Sequence, residues 1–135
     1  MTLLHYIYLY FLTVPILVVM DLFWLGFFAK GFYQDRLLNL LGPVNWSAAV
    51  LFYFIFSAGL LIFVVMPALD SHSLTKALAL GSLYGLVTYA TYNLTNMATL
   101  KGWLWSVVTV DILWGAFLGM IVSLLSYLIG TFFYS

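Results

Sequence analysis

Asp21 and Asp111 are carboxylates set inside long apolar runs, and that placement is the strongest chemical signal in the chain. An ionised aspartate at the centre of a spanning helix costs on the order of 2.5–3.5 kcal/mol on insertion scales, so two of them call for protonation, pairing or water. Each acid is followed three residues later by tryptophan, as Asp21-Leu22-Phe23-Trp24 and Asp111-Ile112-Leu113-Trp114. On a helix, positions i and i+3 share a face, and an indole N–H can serve a buried acceptor. A polar segment, Asn93-Leu94-Thr95-Asn96, and Lys101 just beyond it complete the set. The Lys101 stem is long enough to carry its ammonium back toward the acids and neutralise one of them. Two carboxylates with one cation can share a proton, and such a site can take up and release protons or hold a ligand or ion. The candidate site is therefore Asp21, Asp111, Lys101, Asn93, Asn96, Thr95, Trp24 and Trp114. The structural alternative makes the two acids hydrogen-bonded staples that align helices.

The elements that position these residues follow from composition. The 135 residues are 66% hydrophobic and 6% charged, with four basic and four acidic side chains and no glutamate. A soluble domain carries roughly a quarter charged residues, so eight cannot cover this one with a polar skin. Lipid as the solvent for its apolar surface is the remaining solution. No cysteine is present, which removes disulfides, thiol nucleophiles and thiolate metal sites. His5 and His72 have no metal partner at useful spacing, so neither a metal nor a cofactor is expected. Zero net charge gives no reason to expect nucleic acid. The opening stretch lacks a basic leader and a small-residue cleavage pattern, and reads as a retained first helix.

Four apolar runs each approach the roughly 20 residues needed to cross a bilayer core. They span about residues 3–29, 46–66, 75–96 and 103–133, with Pro67 expected to stop the second. The expected fold is a single all-α domain over 1–135, a polytopic bundle of four transmembrane helices. Between helices one and two, residues 30–45 read as a short amphipathic helix in the interface, ended by Gly42-Pro43. Gly81 and Gly85, and again Gly115 and Gly119, form small-residue steps for close helix packing, within the chain or in a homodimer.

Depth can be counted from these boundaries. Asp21 lies nine residues before Lys30, about 13 Å along a helix, and Asp111 eight residues after Trp103, about 12 Å. The first and third connections lie on one side, so both acids are expected at one depth below the same face. Those connections hold Lys30, Arg36 and Lys101, against Lys76 and the terminal amine on the other side, which places them in the cytoplasm.

The segment Tyr92-Asn93-Leu94-Thr95-Asn96-Met97-Ala98-Thr99-Leu100-Lys101-Gly102-Trp103, then Val110-Asp111-Ile112-Leu113-Trp114-Gly115, resembles a bacterial family of small membrane proteins classed as a domain of unknown function, DUF2177. Met20-Asp21-Leu22-Phe23-Trp24-Leu25-Gly26 resembles its first-helix motif, and the likeness spans nearly the whole chain. The resemblance implies a bacterial inner-membrane protein and brings no substrate or reaction. The family pattern often has aspartate at the position of Asn93; the amide here removes a third acid.

The function expected from these residues is binding, and by extension transport, of a small solute, ion or lipid at a polar intramembrane site. Membrane lipids surround the protein in any such role. The alternatives are a membrane-embedded enzyme using Asp21 and Asp111 as an acid–base pair on a lipid-like substrate, and a non-catalytic accessory or scaffold subunit.

Overall fold

A computed structural model describes residues 2–133, and among them every regular element is helical. Helix α1 (Leu3–Phe23) starts on Thr2, whose hydroxyl accepts from the His5 N–H while the His5 ring accepts from the Thr2 N–H. This reciprocal cap satisfies two amides that a helix start leaves open. The helix passes through Pro15 and then widens into a π-helical turn at Trp24–Phe28, closed by the Ala29 N–H on the Trp24 carbonyl at 2.9 Å. Helix α2 (Lys30–Leu37) follows at once. It ends before the expected stop at Gly42-Pro43, because the N–H groups of Leu40 and Leu41 both turn back onto the Leu37 carbonyl.

Helix α3 (Trp46–Leu60) is capped by the Asn45 side chain, which accepts from the Ala48 N–H at 3.1 Å. It continues through a second π turn, Leu61–Val65, into α4 (Met66–Asp70). Pro67, expected to end this helix, lies inside it. A proline within a helix lacks an N–H and crowds the carbonyl four residues back, here Phe63. The preceding π turn, in which the Met66 N–H reaches back to the Leu61 carbonyl, shifts the bonding register by one residue and makes room for the ring. A tight turn with His72 at φ 49° leads to α5 (Leu74–Thr99), which Ser73 caps through the Lys76 N–H. Gly102, at φ 81° where other residues are strained, turns the chain into α6 (Trp105–Thr131).

Among the described residues, three continuous helical stretches are long and apolar enough to cross a membrane: Leu3–Phe28, Trp46–Asp70 and Trp105–Thr131. Helix α5 is as long, at 26 residues, but its threonines, tyrosines and asparagines keep it from assignment on length and composition alone. The surface is that of a membrane protein. Phe27, Phe63, Leu113 and Val19 are among many large apolar side chains that stand exposed.

Helices α5 and α6 form the most extensive contact, and glycine permits it. A Cβ added at Gly85 would strike the Gly115 carbonyl, and one at Gly119 would strike the Gly81 carbonyl. The two small-residue steps thus face each other inside one chain, as close backbone packing requires. The core beside this seam joins α1, α3, α4 and α6 through Leu17, Leu60, Val64, Leu69, Leu118 and Val122. Among its polar groups, Thr13 and Ser126 share a hydroxyl hydrogen bond of 2.7 Å and Thr13 donates to the Leu9 carbonyl or Ser126, while the buried Ser57 and Ser123 hydroxyls find no partner among the described residues. Tyr10 and Tyr84 cross between helices to donate to the Phe54 and Phe56 carbonyls at 2.8 and 3.0 Å.

Gly85→Ala and Gly119→Ala will each destabilise the protein in detergent by about 1–3 kcal/mol, the usual range for overpacking, as read by thermal unfolding. Gly31→Ala, where an added Cβ meets nothing within 4 Å, will leave the midpoint unchanged or slightly raised.

Candidate functional site

The first π turn places the site. By widening the end of α1 it carries the chain directly into α2, and α2 returns over the bundle so that Tyr33 reaches α6. Below it lies a partly open cavity of about 570 Å³. Asp21 and Trp24 reach it from the α1 end, Tyr33 from α2, and Phe52 from α3. Thr88, Tyr89 and Tyr92 reach it from α5, and Asp111 and Trp114 from α6. Both acids therefore line one cavity, although their helices are far apart in sequence.

Every donor that serves an acid comes from a different helix. Tyr53 donates to Asp21 Oδ2 at 2.9 Å. Tyr33 donates to Asp111 Oδ1 at 2.7 Å, and Asn93 Nδ2 to Asp111 Oδ2 at 2.6 Å. Asn93 is fully buried, and its other amide hydrogen goes to the Tyr89 carbonyl at 2.9 Å, which locks the side chain in place. The tryptophans cross over. Trp24, on the Asp21 helix, donates to the Tyr33 hydroxyl at 3.3 Å and so supports the donor on Asp111. Trp114, on the Asp111 helix, turns its indole toward Asp21 without closing a hydrogen bond of ordinary geometry. Between them the two indoles stack face to face, 4.4 Å apart and 5° from parallel. Burial and the neighbouring Asp111 carboxylate push the Tyr33 phenol well above its ordinary pKa, so it remains a neutral donor.

Of the residues expected from sequence, Asp21, Asp111, Trp24 and Trp114 line the cavity, and Asn93 holds Asp111 from behind. Asn96 is half-buried beside Tyr92. Thr95 is exposed, and its hydroxyl bonds back to the Thr91 carbonyl of its own helix. Lys101 does not reach the acids. It is exposed and lines a separate hollow with Asp35, Arg36 and Asn39, which brings the first and third connections together at one end of the bundle. Leu100, extended just after α5, directs it there, and neutral donors take the place expected for its ammonium.

Sequence reasoning misses Tyr33, Tyr53 and Tyr89. A usable signal existed for Tyr53: it lies seven residues into α3 from Trp46, about 10 Å, the same depth count that pairs the acids. No local pattern marks Tyr33, whose position depends on the way α2 folds back.

A family model described as a predicted membrane protein, DUF2177, matches residues 6–128. No curated protein and no solved structure matches the chain.

Removing a donor will strand a buried acceptor. Tyr53→Phe and Tyr33→Phe will each lower unfolding free energy by about 1–3 kcal/mol, measured by chemical or thermal unfolding. Because Tyr33 and Asn93 share Asp111, the double variant Tyr33→Phe/Asn93→Leu will depart from the sum of the single effects.

Proposed function

Because the chain belongs to the DUF2177 family of predicted membrane proteins, we propose that it crosses the bilayer four times and binds a small ligand in the cavity, with Asp21 and Asp111 as polar anchors. One observation carries this reading: two acids, buried Asp21 from α1 and half-buried Asp111 from α6, line the same partly open cavity and are held by donors from three other helices. A purely structural staple would bring the acids onto partners and leave no space between them. A ligand site leaves room, and aligns its polar groups on it beforehand.

Helix α5 supplies the fourth crossing. Its 26 residues extend about 39 Å, more than a hydrocarbon core of about 30 Å. Its polarity is compatible with that role because Thr91, Thr95 and Thr99, all exposed, return their hydroxyls to carbonyls of the same helix. Such back-bonding leaves no hydroxyl unsatisfied in lipid. Helix α2 lies in the interface, with the Arg36 guanidinium 4.0 Å over the Phe32 ring. The membrane is the bacterial inner membrane, and the basic residues of the first and third connections set those on the cytoplasmic side. Transport extends the same reading. It requires an opening through the buried layer of Leu17, Leu60, Val64, Leu118 and Val122, which lies beyond the acids along their helices.

The absence of cysteine makes single-cysteine labelling unambiguous. Thiosulfonates react with the thiolate, which forms only where water reaches the sulfur. In lipid nanodiscs, methyl methanethiosulfonate will modify Thr88→Cys on the cavity wall and leave Val122→Cys in the core unmodified. Equal inertness of the two would overturn the binding reading. In cells, a membrane-impermeant maleimide will label Lys101→Cys in inverted vesicles and leave it unlabelled in intact spheroplasts; the reverse pattern would overturn the orientation.

A further inference from the structure

Resting on the binding reading above, we infer that the ligand is an organic cation with aromatic or branched alkyl bulk, such as a substituted ammonium or phosphonium. The cavity wall carries two carboxylates and no lysine, arginine or histidine. The lysines and arginine are elsewhere: Lys101 and Arg36 line the separate hollow, Lys30 is exposed at the start of α2, and Lys76 donates to Ser71 at the opposite connection. Neither acid has an ion-pair partner among the described residues, and the groups that hydrogen-bond to them are neutral. Asp111 accepts on both oxygens, whereas Asp21 accepts only on Oδ2, so that Oδ1 is left for a ligand.

The remainder of the wall selects for bulk. Trp24, Tyr89, Tyr92, Trp103 and Trp114 present aromatic surface beside the acids. Ring faces attract cations, more strongly where water is excluded. An anion, including an anionic lipid headgroup, would meet two carboxylates and no compensating charge. A neutral apolar molecule would leave Asp21 Oδ1 desolvated and unpartnered. A small inorganic cation needs several oxygen ligands at short range, and a wall that is mostly apolar does not provide them.

Tetraphenylphosphonium and tetraphenylborate carry the same four rings and opposite charge, so together they separate charge from bulk. In phosphatidylcholine nanodiscs, tetraphenylphosphonium will slow methyl methanethiosulfonate labelling of Thr88→Cys saturably, by about tenfold, equivalent to about 1.4 kcal/mol. Tetraphenylborate at the same concentration will not. The phosphonium protection will be lost when Asp21→Asn and Asp111→Asn are added to Thr88→Cys. Equal protection by both ions, protection by neither, or protection that survives loss of both acids would overturn the cation assignment while the cavity reading stands. Should the triple variant fail to fold, the comparison of the two ions on Thr88→Cys alone decides the matter. A Thr88→Cys thiol that is inert with no ion added sinks the binding reading, and this inference with it.

Discussion

A carboxylate taken out of water must be given donors, and here the donors lie on helices other than its own. Asp21 takes its hydrogen bond from Tyr53 on α3 and faces Trp114 on α6. Asp111 takes its bonds from Tyr33 on α2 and Asn93 on α5. Five helices are thereby tied at one level by groups that cannot separate without stranding charge in a medium of low dielectric. In lipid, where apolar packing has no water to drive it, such polar ties carry a larger share of the specification of helix neighbours.

The rest of the bundle serves that level. Facing glycines let the α5 and α6 backbones touch, and this contact sets Asn93 within reach of Asp111. The π turn at Trp24–Phe28 directs α2 back over the cavity, and without that fold-back Tyr33 would be too far away to serve α6. Wide turns of this kind recur at functional sites because they re-aim side chains that a regular helix would point elsewhere. The second π turn, ahead of Pro67, is structural: it keeps α3 and α4 on one path through a residue that would otherwise break them.

Much of this was legible in the chain. Helix character follows from composition and run length, and counting residues from the connections puts Asp21 and Asp111 at a common depth, in keeping with the one cavity that both line. The i to i+3 tryptophans share a face with their own acids, but spacing does not say which acceptor each indole serves. The helices pack so that each indole points across to the other's side, a relation that spacing within one helix cannot contain. Lys101 misled because charge complementarity is easy to read and direction is not. Its position just past the α5 terminus fixes distance along the axis, while the extended Leu100 leading out of α5 decides where the side chain goes. Tyr33 and Tyr53 were hidden by their own abundance, since tyrosine is common at membrane interfaces and gives no sign of which hydroxyl turns inward.

The stacked indoles have a mechanical consequence. Rings that overlap at 4.4 Å and 5° from parallel act as a register key between the end of α1 and the middle of α6. Sliding either helix along its axis by a single 1.5 Å residue step would disturb the overlap and, through Trp24 and Tyr33, loosen the grip on Asp111. The stack thus opposes any sliding of α1 past α6 and fixes the two acids in one register.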